Sequence, residues 1–318
     1  MTRPENTEAF EPRLVVQGLS GGYGPRDVVR DVSFLADRGQ LVGILGPNGA
    51  GKSTLGRLLC GQLRPSAGSI LIDGHRLPAL RERRHLIGVV PQNIGLYPHL
   101  TGRENLEVFA RLLRVPAISS RAAVSRALEL VDMEARADTR VDHMSGGMQR
   151  RINTAVATLT SPPVIFFDEP TAGVDHPSRD TIHTLAKRLS EEGHVVCLVT
   201  HELEQAEQIC DRVLVLSGGK LFAYGRPAAV LEKAFGNKHE IILRLRRAPS
   251  SLIHDKLVAL GFERDAARHT AYIASATDGS PSFIARLMSS LGDARDRVRE
   301  VTVRKPGLDA LMAQLAAS

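Results

Sequence analysis

The fold class is decided by Gly46-Pro47-Asn48-Gly49-Ala50-Gly51-Lys52-Ser53, which fits the pattern G-x-x-x-x-G-K-[ST]. The stretch follows an apolar run at 40–45 and opens a segment with helical spacing. Its glycines let successive backbone N–H groups turn inward around phosphate oxygens, and the helix N-terminus adds a favourable dipole. Lys52 would reach the β- and γ-phosphates, and the Ser53 hydroxyl would bind Mg²⁺. The sequence therefore predicts a nucleotide site that runs from Gly46 to Thr54.

Two further segments place polar side chains directly after apolar, strand-sized runs. Residues 164–167 lead into Asp168 and Glu169, and residues 194–200 lead into His201. Ligands of open α/β sheets bind at the carboxyl ends of the strands. There Asp168 would hold Mg²⁺ through water, Glu169 would act as general base, and His201 would contact a γ-phosphate. Each signal has an ordinary alternative: a helix start for the two carboxylates, and a structural role for the histidine.

The order of apolar runs along the chain indicates the architecture. Runs that alternate with helical patterns are typical of a parallel sheet covered by helices, and early strands at 13–16 and 32–35 predict an antiparallel β edge. From about 93 to 150 the pattern becomes helical, and Thr101 and Glu104 have the spacing of a capping box. We predict an α/β P-loop core over 13–235 with this α-helical insertion, and a small α+β accessory domain over 239–318.

Composition narrows the class of protein. The chain has 318 residues, of which 43% are hydrophobic and 24% charged, as in a globular protein of about two domains. No apolar run approaches the roughly 18 residues that span a bilayer. The polar start is not a secretory signal, and the three cysteines lack disulfide or metal spacing. We expect a soluble, intracellular chain.

The charge pattern bears on possible partners. The net charge is +6, and 34 of the 41 basic residues are arginine. This balance permits contact with nucleic acid or an anionic membrane but requires neither. The sequence has no block of five like charges, and its densest basic patch, residues 81–84, fits a solvated helix face. We expect no nucleic-acid partner.

A second motif carries a family resemblance. Met144-Ser145-Gly146-Gly147-Met148-Gln149-Arg150 resembles the signature segment of ATP-binding cassette (ABC) proteins, which distinguishes them from other P-loop ATPases. The resemblance extends over about 13–235, with the family's other elements in order. It departs from the usual pattern at Met144, where leucine is usual, and at Met148, where glutamine is usual. The segment that faces phosphate, Ser145 to Gly147, is intact.

The resemblance implies a role for several residues. Tyr23 would stack on adenine, and Gln92 would contact Mg²⁺ and the membrane partner. Asp175 would contact a second protomer, and His201 would act as a switch.

The resemblance also implies a dimer. Because Ser145-Gly146-Gly147 opens a helix, its free N–H groups form an anion site. In this family that site faces the γ-phosphate held by Lys52 of the opposite subunit. ATP is then buried between two protomers, and hydrolysis opens the dimer and drives a partner. Because each motif occurs once, this chain would supply half of a dimer, with a second copy or a paralogous ATPase as the other half.

The short insertion and the single cassette resemble those of transporter ATPases. The resemblance implies a peripheral ATPase at the cytoplasmic face of the cell membrane that powers a separate integral membrane permease. Segments 96–106 and 298–311 resemble ATPases that export drugs, antibiotics or polysaccharides, so we expect an exporter. An importer ATPase with a regulatory C-terminal domain is the alternative, and an ATPase acting on DNA or ribosomes is less favoured. Residues 240–318 would be either a sensor or an appendage that stabilises the dimer.

One segment is a candidate for contact with the permease. Residues 96–100 are apolar and follow Gln92, so we expect them to dock a cytoplasmic helix of the permease. The alternative is that Leu96 and Tyr97 are ordinary packing residues of the helical insertion.

Overall fold

The structure is a computed structural model that describes residues 12–24, 26–77, 85–171, 176–265, 269–276 and 280–317. The basic patch at 81–84 and Asp175 lie outside these residues. The chain forms two compact units: residues up to Pro227 together with 315–318, and Ala228–Gln314. The domain limits that we predict from the sequence, 13–235 and 239–318, stay a prediction.

Two sheets form the first unit. Its strands are β1 (Leu14–Tyr23), β2 (Arg26–Ala36), β3 (Leu41–Leu45), β4 (Ala67–Ile72), β5 (His75–Arg76), β6 (Ile87–Val90), β7 (Val164–Asp168), β8 (Val195–Val199), β9 (Arg212–Ser217) and β10 (Lys220–Gly225). One sheet has the order β10-β9-β3-β8-β7-β6, in which β9, β3, β8, β7 and β6 are parallel neighbours and β10 is antiparallel to β9. The other sheet, β2-β1-β4-β5, is antiparallel and contains the predicted edge strands.

Burial explains why these segments form strands. Every residue of β3 and β8 is buried, as are four of the five residues of β7. Parallel strands covered on both faces have such continuous apolar runs. In β1 and β2 the burial pattern alternates instead, because one face packs and the other is exposed. A single core joins the two sheets, and Leu55 and Leu58 of the first helix lie within it.

Among the described residues, six helices accompany these sheets. They are α1 (Lys52–Leu59), α2 (Gly102–Leu112), α3 (Ala117–Leu130), α4 (Gly146–Thr158), α5 (His176–Glu191) and α6 (Leu203–Ile209). The predicted capping box starts α2: the Thr101 N–H donates to Glu104 Oε2 over 2.8 Å, and the Glu104 N–H donates to Thr101 Oγ1 over 3.1 Å. The insertion consists of α2, α3 and two short 3₁₀ turns, Glu134–Arg136 and Val141–His143, that lead to α4.

The second unit has a different construction. Its elements are α7 (Pro227–Phe235), β11 (His239–Leu245), α8 (Ser251–Ala259), β12 (Glu263–Arg264), β13 (Ala271–Ala276), α9 (Pro281–Leu291), a 3₁₀ turn (Gly292–Arg297), β14 (Val298–Arg304) and α10 (Leu308–Ala317). The sheet order is β12-β13-β11-β14, with every neighbouring pair antiparallel. From β11 to β14 this is a split β-α-β arrangement. The predicted α+β character of this region is confirmed.

Alternate residues of β11 form the core of the second unit. Ile241 and Leu243 are fully buried and share one cluster with Leu257, Tyr272 and Leu287. Among the described residues of the whole chain, no helix is long and apolar enough to cross a membrane.

Candidate nucleotide site

The order of the parallel sheet places four predicted segments at one edge. β3, β8, β7 and β6 are neighbours in that order and run in the same direction. The phosphate loop follows β3, His201 follows β8, Asp168 and Glu169 end β7, and Gln92 follows β6. Because the carboxyl ends of parallel strands lie at one edge, segments far apart in sequence meet there.

Glycine is required at the start of the loop. A Cβ atom on Gly46 would lie 2.4 Å from the Leu216 carbonyl oxygen, so no side chain fits at this position. Gly49 and Gly51 have φ values of 79° and 102°, a region in which L side chains are strained. Gly51 is also the N-cap of α1. The loop is thus shaped as a concave turn of backbone that ends on a helix N-terminus, as phosphate binding requires.

Lys52 lies across this loop. Its side chain is buried, and Nζ donates to the carbonyl oxygens of Gly46 over 2.7 Å and Pro47 over 3.1 Å. Burial lowers the pKa of Lys52, and the nearby Glu169 opposes that shift. A bound phosphate would exchange neutral carbonyl partners for anionic oxygens, which form stronger hydrogen bonds with an ammonium group. The adjacent Ser53 is exposed, whereas Thr54 is buried.

The three residues predicted to be catalytic form one hydrogen-bonded chain. Gln92 Nε2 donates to Glu169 Oε2 over 3.2 Å, and His201 Nε2 lies 2.6 Å from Glu169 Oε1. Glu169 has a φ of 46°, and its N–H donates to the Val199 carbonyl of β8 over 3.1 Å. A left-handed conformation is unusual for glutamate and is often found where a side chain is held for a function. The structure therefore brings together the ends of β6, β7 and β8.

Asp168 is the last residue of β7 and is partly buried. Burial raises the pKa of its carboxyl group, Glu169 raises it further, and the guanidinium of Arg57 opposes both. A carboxylate that has lost water and has a like charge beside it is stabilised by a cation.

Tyr23 ends β1, in the other sheet of the unit, and is 51% exposed. Its hydroxyl accepts a hydrogen bond from Arg57 of α1, whose guanidinium carbon lies 5.7 Å from the ring centroid. The Tyr23 ring thus lies against α1, the helix that follows the phosphate loop. The exposed part of the ring is available for stacking.

The signature segment opens α4. Ser145 is the N-cap, and its Oγ accepts a hydrogen bond from the Met148 N–H over 3.3 Å. Space is open where a Cβ on Gly146 would lie. In the described part of the chain no hydrogen bond joins Ser145, Gly146 or Gly147 to the phosphate loop. Met144 is buried against the start of α2, so methionine fills the place of the usual leucine.

Two polar residues of α4 have a role that the sequence did not reveal. Arg150 is buried, and its Nη1 donates to the carbonyl oxygens of Pro91 over 3.1 Å and Gln92 over 2.6 Å. Asn153 Oδ1 accepts from the Gly95 N–H over 3.2 Å. The signature helix therefore holds the backbone on both sides of the Gln92 side chain. Polar residues three apart on a helix otherwise rich in buried small residues are the signal that could have found them.

Asn105 organises the next segment. It is fully buried, its Oδ1 accepts from the Tyr97 N–H over 2.8 Å, and its Nδ2 donates to the Thr101 carbonyl over 2.9 Å. A buried amide that satisfies this many backbone groups fixes the turn that leads from the Gln92 segment into α2. The sheet edge, the loop and these anchors together define a P-loop ATPase.

Comparison with known proteins gives the same class. The ABC transporter family matches residues 29–172. The Nod factor export ATP-binding protein I of Bradyrhizobium diazoefficiens is 40% identical over 220 residues, which cover 69% of this chain and 72% of that protein. The protein of the same name from Rhizobium etli is 39% identical over 235 residues, covering 74% of each chain.

Solved structures agree with these relatives. One, described as an ATP-binding subunit of an ABC transporter, superimposes with a TM-score of 0.61 at 32% identity and covers 70% of this chain and 93% of its own. Another, cbiO1 from Clostridium perfringens, part of the ABC transporter complex cbiONQ, has a TM-score of 0.65 at 26% identity, with 79% and 96% covered. The present chain belongs to the ATP-binding subunits of the ABC transporter family. It binds ATP and is an ATPase.

The contacts of Arg150 generate a prediction about the segment at 91–95. Arg150→Met removes Nη1, which donates to both carbonyl oxygens, so two backbone carbonyls lose partners and stability falls by about 1–3 kcal/mol. Hydrogen exchange of the Gly95 amide should become faster, and ATP turnover should fall because Gln92 is less well held. Urea unfolding, exchange and turnover measure the three effects.

Arg151→Met is the matched control, because Arg151 is the next residue of α4 and makes only a long, exposed contact of 3.4 Å with the Asp132 carbonyl. Equal losses of stability and ATP turnover in the two variants would show that the Arg150 contacts do not hold the segment at 91–95.

Proposed function

We propose that this chain is one half of a Mg²⁺-dependent dimeric ATPase that powers export through a separate membrane permease. The observation that carries the proposal is the arrangement around Glu169. Its two carboxylate oxygens contact Gln92 and His201, on the two neighbouring strand ends. The phosphate loop lies one strand beyond His201 in the same sheet.

The geometry suits in-line hydrolysis of ATP. A water beside Glu169 would attack the γ-phosphorus, give its proton to the Glu169 carboxylate, and break the bond to the bridging oxygen, so that ADP leaves. Lys52 and the loop N–H groups would stabilise the phosphate charge. His201, which already holds Glu169, would orient both the carboxylate and the γ-phosphate.

The residues at the sheet edge fit Mg²⁺. This ion prefers hard oxygen donors. Three such donors are the exposed hydroxyl of Ser53, the partly buried carboxylate of Asp168 and the amide oxygen of Gln92. The Gln92 amide N–H faces Glu169, which leaves its oxygen for the ion. Among the described residues no cluster of three His, Cys, Asp or Glu forms a metal cage. That agrees with an ion held mainly by nucleotide phosphates and water. When bound, it would neutralise charge on the phosphates.

The first prediction concerns the general base. Glu169→Gln keeps the size of the side chain and its capacity to accept one hydrogen bond but removes its basicity. It should therefore retain ATP binding while hydrolysis slows by about 10²–10⁴-fold, with an ATP-bound dimer accumulating. Phosphate release and gel filtration in the presence of ATP measure the two effects.

Glu191→Gln, an exposed carboxylate at the end of α5, is the control and should behave as the wild type. Turnover near the wild-type rate in purified Glu169→Gln protein would remove Glu169 from the role of general base.

The dimer is supported by the single copy of each motif and by the exposed N-terminus of α4. Ser145 and Gly146 are exposed, and this end of α4 has N–H groups to offer to an anion. A γ-phosphate held by Lys52 of a second copy is the anion that we propose for it. The family resemblance implies that Asp175 contributes to the same contact, although this residue lies outside the described residues.

A mixing experiment tests this composite site. Lys52→Ala and Ser145→Arg subunits are each inactive in the proposed dimer, but a heterodimer of the two has one intact site and one doubly damaged site. Mixed subunits should therefore recover ATP hydrolysis that neither variant shows alone. A mixture that never exceeds the separate variants would mean that Lys52 and Ser145 act within one chain.

Export and the permease are supported by the relatives. The proteins from Bradyrhizobium diazoefficiens and Rhizobium etli are named for Nod factor export, and cbiO1 is part of a transporter complex. We infer an exporter ATPase bound peripherally at the cytoplasmic face of the membrane, with the permease choosing the substrate.

Side-chain exposure supports only part of the predicted docking segment at 96–100. Leu96 is only 9% exposed, so ordinary packing accounts for it. Tyr97 is 49% exposed, and its ring centroid lies 6.0 Å from that of Phe109 in α2. Leu112, 55% exposed, lies three residues further along α2, on the same face as Phe109. We propose that Tyr97, Phe109 and Leu112 form the apolar surface that a permease helix contacts.

Charge at this surface should uncouple the ATPase from the membrane. Tyr97→Glu should fold and hydrolyse ATP as the wild type does, yet should be lost from membranes that contain the permease. Phe222→Glu, an aromatic of 50% exposure on β10, is the control and should stay bound. Sedimentation with membranes of cells that express the permease measures binding. If Tyr97→Glu remains bound and supports transport, the docking surface lies elsewhere.

A further inference from the structure

Glu202, the residue after His201, contacts charged and polar side chains of α5. Glu202 Oε1 lies 3.1 Å from Arg179 Nη1, and Oε2 lies 3.0 Å from His183 Nε2, both on α5. The backbone of Glu202 is fixed as well. Its N–H donates to Thr200 Oγ1 over 3.0 Å, and its carbonyl accepts from the Ala206 N–H of α6 over 2.9 Å. Glu202 is thus tied to α5 by its side chain and to β8 and α6 by its backbone.

Among the described residues, Glu169 is the side chain shown to hold the His201 ring, and half of the His201 side chain is exposed. The direction of the ring therefore depends on the backbone at either side. The buried strand β8 fixes the preceding side, and Glu202 is the first residue on the other side.

The contact between Glu202 and His183 does not favour stability by itself. His183 is only 3% exposed, and both of its ring nitrogens and Glu202 Oε2 are buried without an aligned hydrogen-bond partner. Burial lowers the pKa of His183, although Glu202 opposes this shift, so the imidazole is mainly neutral near pH 7. Replacing such a buried polar pair by apolar groups of similar size is often neutral or stabilising. Holding the chain in place is a role that this contact can have without contributing to stability.

We infer that Glu202, held by Arg179 and His183, is a positioning residue that aims the His201 imidazole at Glu169 and the γ-phosphate. The inference rests on the proposed role of His201 in ATP hydrolysis. It adds a connection through which α5 controls the geometry of the reacting groups, and α5 begins directly after the segment that contains Asp175.

Two variants separate positioning from a structural role. Glu202→Gln has the same size but lacks the charge that attracts Arg179. The kcat for ATP hydrolysis should therefore fall about 10-fold or more, while ATP affinity stays within about two-fold of the wild type. Misplacement of the His201 ring affects the reaction more than it affects binding. His183→Leu fills the same buried space without polar atoms. It should also lower kcat. Because this change alone leaves the Glu202 carboxylate facing an apolar group, the melting temperature is compared in the Glu202→Gln/His183→Leu double variant, which has no buried charge there and should melt close to the wild type. A purely structural role would lower activity and melting temperature together.

Glu204→Gln is the matched control, because Glu204 is exposed in the first turn of α6, two residues from Glu202. Its kcat should equal that of the wild type. The inference is wrong if Glu202→Gln and His183→Leu retain wild-type kcat, or if kcat falls only where ATP binding or the melting temperature falls too. A wild-type chain that lacks ATPase activity would instead count against the proposed function.

A double-mutant comparison tests the route of the effect. In a His201→Ala background, Glu202→Gln should cause no further loss in single-turnover hydrolysis, because the group that it positions is gone. A full additional loss in that background would show that Glu202 acts independently of His201 and would overturn the inference.

Discussion

The parallel register of four buried strands is the constraint on which the site depends. β3, β8, β7 and β6 contribute the phosphate loop, His201, Glu169 and Gln92 at one edge of the sheet. None of these segments could form the site by itself, because the hydrogen bonds of Glu169 reach to residues 77 positions before it and 32 positions after it. Continuous burial of β3 and β8 fixes the strands, and the strands in turn fix the reacting groups.

Helices extend this control beyond the sheet. α4 has the signature residue Ser145 as its N-cap and, in its second turn, holds the backbone at Gln92 through Arg150. α5 contacts the residue beside His201 through Glu202. Both residues that contact Glu169 are therefore adjacent to a support from a helix. A helix that moves would change the direction of a reacting side chain. In the proposed dimer, the same contacts would therefore transmit a change at the interface to the reacting groups.

The sequence predicted those features that depend on local pattern. The phosphate loop, the capping box at Thr101 and the fully buried strands have local signatures, since each needs particular residues at short spacing. Strands β4, β5, β10 and β12 were not predicted. β5 and β12 have only two residues each, and the apolar runs of β4 and β10, at 70–72 and 221–224, are too short and too exposed to indicate a strand by pattern alone. The contacts of Arg150 and Glu202 join segments that are distant in sequence, and the burial of Leu96 depends on how the insertion packs. No local pattern contains that information.

The charges at the sheet edge explain why the proposed chemistry needs both an ion and a second protomer. In one chain, Lys52 and Arg57 approximately balance Asp168 and Glu169, and burial and the charge of Glu169 raise the pKa of the Asp168 carboxyl group. ATP would add several negative charges to this balanced site. In the proposed dimer, a divalent cation held by Ser53, Asp168 and Gln92 would offset part of them, and the N-terminus of α4 from a second copy would offset part of the charge on the γ-phosphate. On the proposed function, binding of ATP therefore favours the closed dimer. Release of the γ-phosphate removes the anion that the second protomer contacts, so the free energy of hydrolysis becomes available as separation of the two chains.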